Sequence, residues 1–345
     1  MANWLNLSRL RLTVQLLMLL LTVYGGNVVG YYMAEKISQN LPALSCAYDK
    51  QNGAYCVLIP LQHQLHHRVG EALVQLQTFS FKVLLPLVFT LLSFYVFFAI
   101  LNKAFCGWVC PLGTVQELLY KAGQALKRPL HRFGVDNVGR VRWAKWAMLG
   151  GLVLLLPLLT GMGVTPHSLG NPYCDVCPSR LATTLLTANT EELAISANGG
   201  IEFALGAMAN TLFGFALVAS LASRQPFCRI CPMLALHAVF RRLAFLRLTK
   251  ERHEKCDKCG VCAKACPMDI HEIHTEHGSK AFHEDCTLCG RCAEFCPEDG
   301  VIRLKFGPWT LFRSSREYYK ARVKVDQPEG GKKITFHPKR EVSGD

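Results

Sequence analysis

A chain of 345 residues has room for two compact units, and half of its residues are hydrophobic although it carries 38 basic and 25 acidic side chains. A mean hydropathy of +0.19 with that many charges requires the apolar and charged residues to be segregated, which argues against an ordinary soluble protein. The net charge of +13 would suit a nucleic-acid partner, but the basic residues follow the connections between apolar runs, so no nucleic acid is expected.

Four runs are apolar over roughly 20 residues, enough to cross a hydrocarbon core about 30 Å thick as helices. They cover 12–32, 83–101, 143–164 and 201–222. The first resembles a signal peptide in place and length. It lacks a small-x-small cleavage site, and Gly25, Gly26 and Gly30 suit close helix packing, so it reads as a retained span. Basic residues set the orientation. The connection 102–142 carries seven, whereas 165–200 carries only Arg180. By the positive-inside rule both termini face the cytoplasm of a multi-pass bacterial inner-membrane protein, and the remaining basic residues offer a docking face. The lipid bilayer is the first partner. Asn210, between Gly206 and Gly214 in the last run, reads as part of a packing face with one interhelical hydrogen bond.

Short cysteine pairs ending in proline follow the spans: Cys106-x3-Cys110-Pro111, Cys174-x2-Cys177-Pro178 and Cys228-x2-Cys231-Pro232. Proline suits the first position of a helix, where its missing N–H costs nothing. Apolar residues recur at helical spacing after the first and third pairs, which predicts amphipathic helices on the inner surface. Their positive ends would face an anion such as a thiolate-ligated centre. Cys106, Cys110, Cys228 and Cys231 share the inner side and are expected to form a third iron–sulfur or metal centre there.

Cys46, Cys56, Cys174 and Cys177 fall on the outer side. Three readings stand together: structural disulfides, an outer-face metal centre held by all four, or an exchangeable Cys174–Cys177 dithiol. Pro178 repeats the inner pattern and favours the metal. His63, His66 and His67 precede the second span; His63 and His67, at i,i+4 spacing, could hold a haem or a metal, but the three read as a polar interfacial helix. His271, His274 and His277 read as a solvated loop.

The most specific motif is a duplication. Cys256-x2-Cys259-x2-Cys262-x3-Cys266-Pro267 is followed by Cys286-x2-Cys289-x2-Cys292-x3-Cys296-Pro297. Three closely spaced thiolates wrap one corner of a cubane, and the fourth cysteine, turned away by the proline, serves the other cluster. Two [4Fe–4S] clusters are therefore expected, one on Cys256, Cys259, Cys262 and Cys296, the other on Cys286, Cys289, Cys292 and Cys266. Zinc would favour two C-x2-C pairs over eight cysteines in this repeat. The run 301–304 reads as a closing strand. Residues 307–345 read as a loose basic tail, with Trp309 at the membrane surface.

The expected fold is thus an all-α bundle of four transmembrane helices in 1–250, a small α+β two-cluster ferredoxin module in 251–306, and the tail in 307–345. The run 105–119 with Phe227-Cys-Arg-Ile-Cys-Pro-Met233 and the duplicated motif resembles the membrane polyferredoxins of the NapH/NosR type over 80–305. The resemblance implies electron transfer from a cytoplasmic or quinol donor to a membrane or periplasmic redox partner, such as a reductase or cytochrome. It also implies a quinone and a role as an electron-transfer subunit of an oxidoreductase such as a quinol dehydrogenase. Relatives of this plan also assist oxidase assembly, so a maturation factor and a redox-sensing regulator are the alternatives. The third pair departs from the family by having two intervening residues rather than three.

Overall fold

The computed structural model describes residues 7–29, 47–49, 53–55, 58–74, 81–127, 135–188, 190, 193–195, 199–251, 256 and 259–325. Cys46, Cys56, Gly30 and the tail beyond 325 lie outside these residues.

Helix dominates because a long apolar run in a hydrocarbon layer can satisfy its backbone polar groups within itself only as a helix. Helix α1 spans Leu7–Val29. Its burial is the reverse of a soluble helix. Arg11, Gln15 and Thr22 are buried, whereas Leu16, Leu17, Leu20 and Leu21 are exposed. Polar side chains turned inward and leucines turned outward are what a lipid surround selects. Among the described residues, three segments are long and apolar enough to cross a membrane: Leu7–Tyr24, Asn137–Gly161 and Gly200–Ala222. Helix α3, Phe81–Ile100, is a further apolar helix, of which Val88–Ile100 forms a shorter described segment. Phe89, Leu91, Leu92, Tyr95 and Val96 cover its outer side.

A hairpin of β1 (Ala47–Asp49) and β2 (Gly53–Tyr55) precedes α2 (59–74), whose middle, Gln64–Gly70, is π-helical. The helix α5 (135–161) is also π-helical over Leu149–Leu155, just ahead of Pro157, which has no N–H to close the ladder. Short helices fill the spaces between these long ones: α4 (Pro111–Ala125), α6 (Pro172–Val176), α7 (Pro178–Leu186) and, after α8 (Gly200–Ala222), α9 (Pro232–Val239).

The predicted amphipathic surface helices differ from what is observed. On α4, Leu112, Gln116, Glu117, Tyr120 and Gly123 are all buried, and on α9 every residue from Pro232 to His237 is buried. A Cβ on Gly123 would lie 1.9 Å from the Leu221 carbonyl oxygen, so α4 packs backbone to backbone against the end of α8. The polar residues that made α4 look surface-bound have partners instead. Arg11 pairs with Glu117 at 2.5 Å, and Gln15 Nε2 donates to Glu117 Oε2 at 3.3 Å. Asn210 also differs: its Nδ2 donates to Leu193 O at 3.2 Å, a connecting segment rather than another long helix, and Gly214 faces open space.

The cysteine-rich module is built on three antiparallel strands in the order β3 (Leu246–Lys250), β4 (Ile302–Phe306), β5 (Trp309–Arg313). Two of these lie outside the limits expected for it. Trp309 is in strand β5, and a helix, Arg316–Val325, continues from it, so the first part of the expected loose tail is structured. The Tyr318 hydroxyl accepts the Leu7 N–H at 2.6 Å and ties this end to the start of α1.

Candidate metal centres and their docking

Three cysteines occupy the same local frame. Cys110, Cys177 and Cys231 cap α4, α7 and α9 with φ/ψ of −57/119°, −75/121° and −65/126°, and each is followed by proline at the helix start. The extended ψ turns each cysteine across the helix end while proline sets the first helical φ.

The two inner pairs come together. The sulfurs of Cys106, Cys110, Cys228 and Cys231 lie within electrostatic reach of one another. Gln116 braces the group, its Nε2 donating to Cys228 Sγ at 3.4 Å and its Oε1 accepting the Phe227 N–H at 3.1 Å. Gly113 leaves room beside it, since a Cβ there would lie 3.1 Å from Cys106 O and 4.0 Å from Cys110 Sγ. Gln15 Nε2 donates to Gly107 O at 3.0 Å and so fixes the first loop from α1. Four thiols gathered from two loops, one buried and three half-buried, are a donor set that fits a tetrathiolate metal centre.

Cys174 and Cys177 lie next to that group, not a membrane thickness away. The Tyr173 hydroxyl is 3.5 Å from Cys231 Sγ and 3.8 Å from Cys177 Sγ. Tyr173 is itself buried, and Gln62 Nε2 donates to Cys174 Sγ at 3.3 Å. The proline-ended loops therefore fold into the bundle, where protein rather than lipid satisfies their backbone.

The eight duplicated-motif cysteines lie close together: Cys292 neighbours Cys286, Cys289, Cys266 and Cys262, Cys296 neighbours Cys256 and Cys259, and Cys262 neighbours Cys296 and Cys259. Gly260 and Gly290 adopt left-handed φ of 70° and 75° where the chain enters its short helices, a conformation glycine takes at no steric cost. Burial pushes the Cys262 and Cys286 thiols up to about 11, and raises Cys266 further with help from Cys289. Clustered thiols this reluctant to ionise are stabilised as thiolates by a bound cation, which fits metal ligation.

The module docks directly on the inner loops. Trp108 Nε1 donates to Leu288 O at 3.0 Å, and a Cβ on Gly107 would lie 2.3 Å from Thr287 O. Arg229, adjacent to Cys228, donates to Met268 O and Asp269 Oδ2, both at 2.7 Å. Cys228, Cys266, Cys286 and Cys292 share one buried core. A second anchor lies in the first turns of α5. Lys145, fully buried, pairs with Glu284 at 2.7 Å and with Asp285, and Arg142 pairs with Asp285 at 2.6 Å. Burial alone would raise the Asp285 carboxyl, but His283 and Lys145 more than offset it and hold it well below its ordinary range. The ligand atoms of His283, Glu284 and Asp285 lie close together, but Arg142 and Lys145 already pair with the two carboxylates. Sequence reasoning missed Gln62, Gln116, Tyr173 and Lys145. Of these, Lys145, between Trp143 and Trp146, carried a sequence signal as a lone charge in an apolar stretch.

Residues 83–130 and 205–250 match the family described as 4Fe-4S binding domain, and 255–302 match the 4Fe-4S dicluster domain. NosR of Stutzerimonas stutzeri, a regulatory protein, is 26% identical over 58% of this chain and 25% of its own length. NapH of Haemophilus influenzae (strain Rd), a ferredoxin-type protein, is 27% identical over 54% of this chain and 55% of its own length.

The chain resembles the membrane polyferredoxins of the NapH/NosR type.

The chain is also similar to YccM of Escherichia coli (strain K12), assigned provisionally to electron transport, with 27% identity over 78% of this chain and 68% of that protein. No solved structure is significantly similar to it. Its two matches to the 4Fe-4S binding domain enclose the Cys106–Cys110 and Cys228–Cys231 pairs, the same two loops that converge in the fold. The chain is a membrane iron–sulfur electron-transfer protein.

Proposed function

We propose that this chain carries electrons from a cytoplasmic or quinol donor to a redox partner in or beyond the bacterial inner membrane. Four helices span the bilayer in this reading, with both termini and the cysteine-rich module on the cytoplasmic side. Iron–sulfur clusters, when bound, supply reversible one-electron carriage. The chain's own residues supply the thiolates in three sets: Cys256, Cys259, Cys262 and Cys296; Cys266, Cys286, Cys289 and Cys292; and Cys106, Cys110, Cys228 and Cys231. Cys174 and Cys177 form a fourth group on the far side of Tyr173, with Cys46 and Cys56 as their expected companions.

The observation that carries the proposal is the sharing of Tyr173 between Cys231 and Cys177, with Cys228 packed in the core of the module. Thiol groups thus follow one another from the module into the bundle. A hydrocarbon core about 30 Å thick is too wide for one fast hop, and groups set inward from the surfaces shorten the gap. The test is Cys174→Ser in membrane vesicles. Reduction of an outer acceptor should stop while the module remains reducible from the cytoplasmic side. Undiminished delivery would confine electron flow to the inner face.

A further inference from the structure

Strand β5 is an open edge of the three-stranded sheet, and it is apolar where an edge facing water is usually charged or covered. Trp309 is 68% exposed and Leu311 is 61% exposed. The sheet stands end-on to the bundle. Strand β3 starts at Leu246, just after the helical turn Phe240–Leu243 that follows α9, and runs away from the bundle to Lys250, which pairs with Gly278 of the cysteine-rich module. The register sets Leu246, Phe306 and Trp309 side by side in the first row across the three strands. That row is tied to the last turn of α3. Phe245 N donates to Ala99 O at 2.8 Å, and Gly307 N donates to Phe245 O at 2.9 Å. The rings of Phe245 and Phe306 meet with centres 5.9 Å apart. The β4–β5 turn is therefore level with the end of an apolar helix.

The geometry points to a lipid-seated edge: the β4–β5 turn and its apolar neighbours rest in the headgroup boundary of the bilayer around α3 and draw anionic phospholipid to it. The apolar outer side of α3 ends at Ile100. It is continued by exposed Val239, Leu243 and Phe245, and then by Trp309 and Leu311. The turn that carries Leu243 is held to α3, since the Phe240 ring stacks on Phe98 with centres 4.6 Å apart.

The charges fit lipid as well. From 239 to 249 and from 302 to 316 the chain carries basic residues and no acidic one. Arg242, Arg247 and Arg313 are exposed. Anionic headgroups attract such residues, and tryptophan favours the headgroup level, where its ring is apolar and its N–H is wet. The same chemistry limits the depth. The unpaired backbone groups of an edge strand need water, which the headgroup region holds and the hydrocarbon core does not. Pro308, in the turn, has no N–H to strip of water. Only the apolar side chains at this end of the sheet reach the acyl chains, so the module is held at a fixed height over the membrane. The inference uses α3 as a span and is independent of the clusters and of any electron path.

The test places the full chain with its clusters in vesicles of phosphatidylcholine and phosphatidylglycerol, at a protein density low enough to keep copies apart. The Trp309 fluorescence is isolated as wild type minus Trp309→Phe, a change at an exposed ring that should leave iron content unaltered. That fluorescence should be quenched by lipid brominated just below the headgroup and protected from acrylamide in the water. Leu311→Trp in the Trp309→Phe background supplies a second reporter on the same edge and should behave alike. Quenching should be stronger with bromine on phosphatidylglycerol than with the same bromine on phosphatidylcholine, and Arg242→Gln with Arg247→Gln should erase the difference. Quenching of both reporters by acrylamide and not by lipid would put the edge in water and overturn the inference. Protection from both quenchers would mean that a second copy covers the edge, which would overturn it equally. Equal quenching by the two brominated lipids would refute the attraction of anionic phospholipid.

Discussion

Gly107→Ala is the smallest change that separates docking of the cysteine-rich module from its assembly. Gly107 lies between Cys106 and Trp108, and its missing Cβ is where Thr287 O enters, at 2.3 Å. Carbon–oxygen contacts settle near about 3.3 Å, so the alanine variant must open this interface by roughly 1 Å. The opposing atom is backbone in the loop between Cys286 and Cys289 and cannot rotate away. Overpacking of this kind costs about 1–3 kcal/mol, which is roughly 5- to 150-fold in a docking equilibrium. No cysteine is touched, so iron content should match wild type. Hydrogen exchange over 285–290 should accelerate by that factor, and magnetic broadening between paramagnetic centres should weaken. Gly214→Ala, where a Cβ meets open space, is the control. Wild-type exchange and wild-type broadening in Gly107→Ala would refute the docked arrangement.

Lys145→Met should destabilise docking by about 3–5 kcal/mol, because it strands Asp285 and Glu284 without their buried cation; denaturant titration followed by tryptophan fluorescence checks this, and a loss under 1 kcal/mol would count against it. The Asp285 carboxyl is held well below its ordinary value, so its stabilisation is complete above the unfolded carboxylate range and is lost only as pH falls through the lower folded value. Docking should therefore persist when pH drops from 7 to about 4, as read by the same exchange experiment. In iron-free protein, the Cys262 and Cys286 thiols near 11 should remain protonated at pH 8, so alkylation should be far slower than for an exposed thiol such as Cys259 and should accelerate only as pH approaches 11. A cytoplasm-only reporter should work when fused after Arg128 or at the C-terminus and fail after Asn52 or Thr190; the reverse pattern would invert the orientation.

The parts legible in the sequence were those whose physics is local. Ligand spacing alone marked the duplicated cysteines as iron–sulfur ligands, and 255–302 match the 4Fe-4S dicluster domain, because a cubane corner needs closely spaced thiolates. Hydropathy over a window of about 20 residues located the long helices. The placement of α4 was not legible, because its polar face looks solvated until Arg11 and Gln15, about a hundred residues earlier, supply partners for Glu117. The same limit hid the approach of Cys177 to Cys231, which depends on a single tyrosine reaching both. Loop topology put these cysteines on opposite sides of a membrane, and the proline-ended pairs at the span ends allowed inward folding without fixing how far it goes. The tail was misread where strand β5 draws its hydrogen bonds from β4, which composition does not report.

The convergence of Cys106, Cys110, Cys228 and Cys231 is the claim on which the electron path depends, and anaerobic iron and sulfide quantitation with EPR tests it most directly. The full chain should hold about 12 iron atoms, four for each set of four thiolates. Cys228→Ser should lower that to about 8 and remove one EPR signal while the two signals of the module persist. A wild-type chain with about 8 iron atoms, unchanged by Cys228→Ser, would contradict the account.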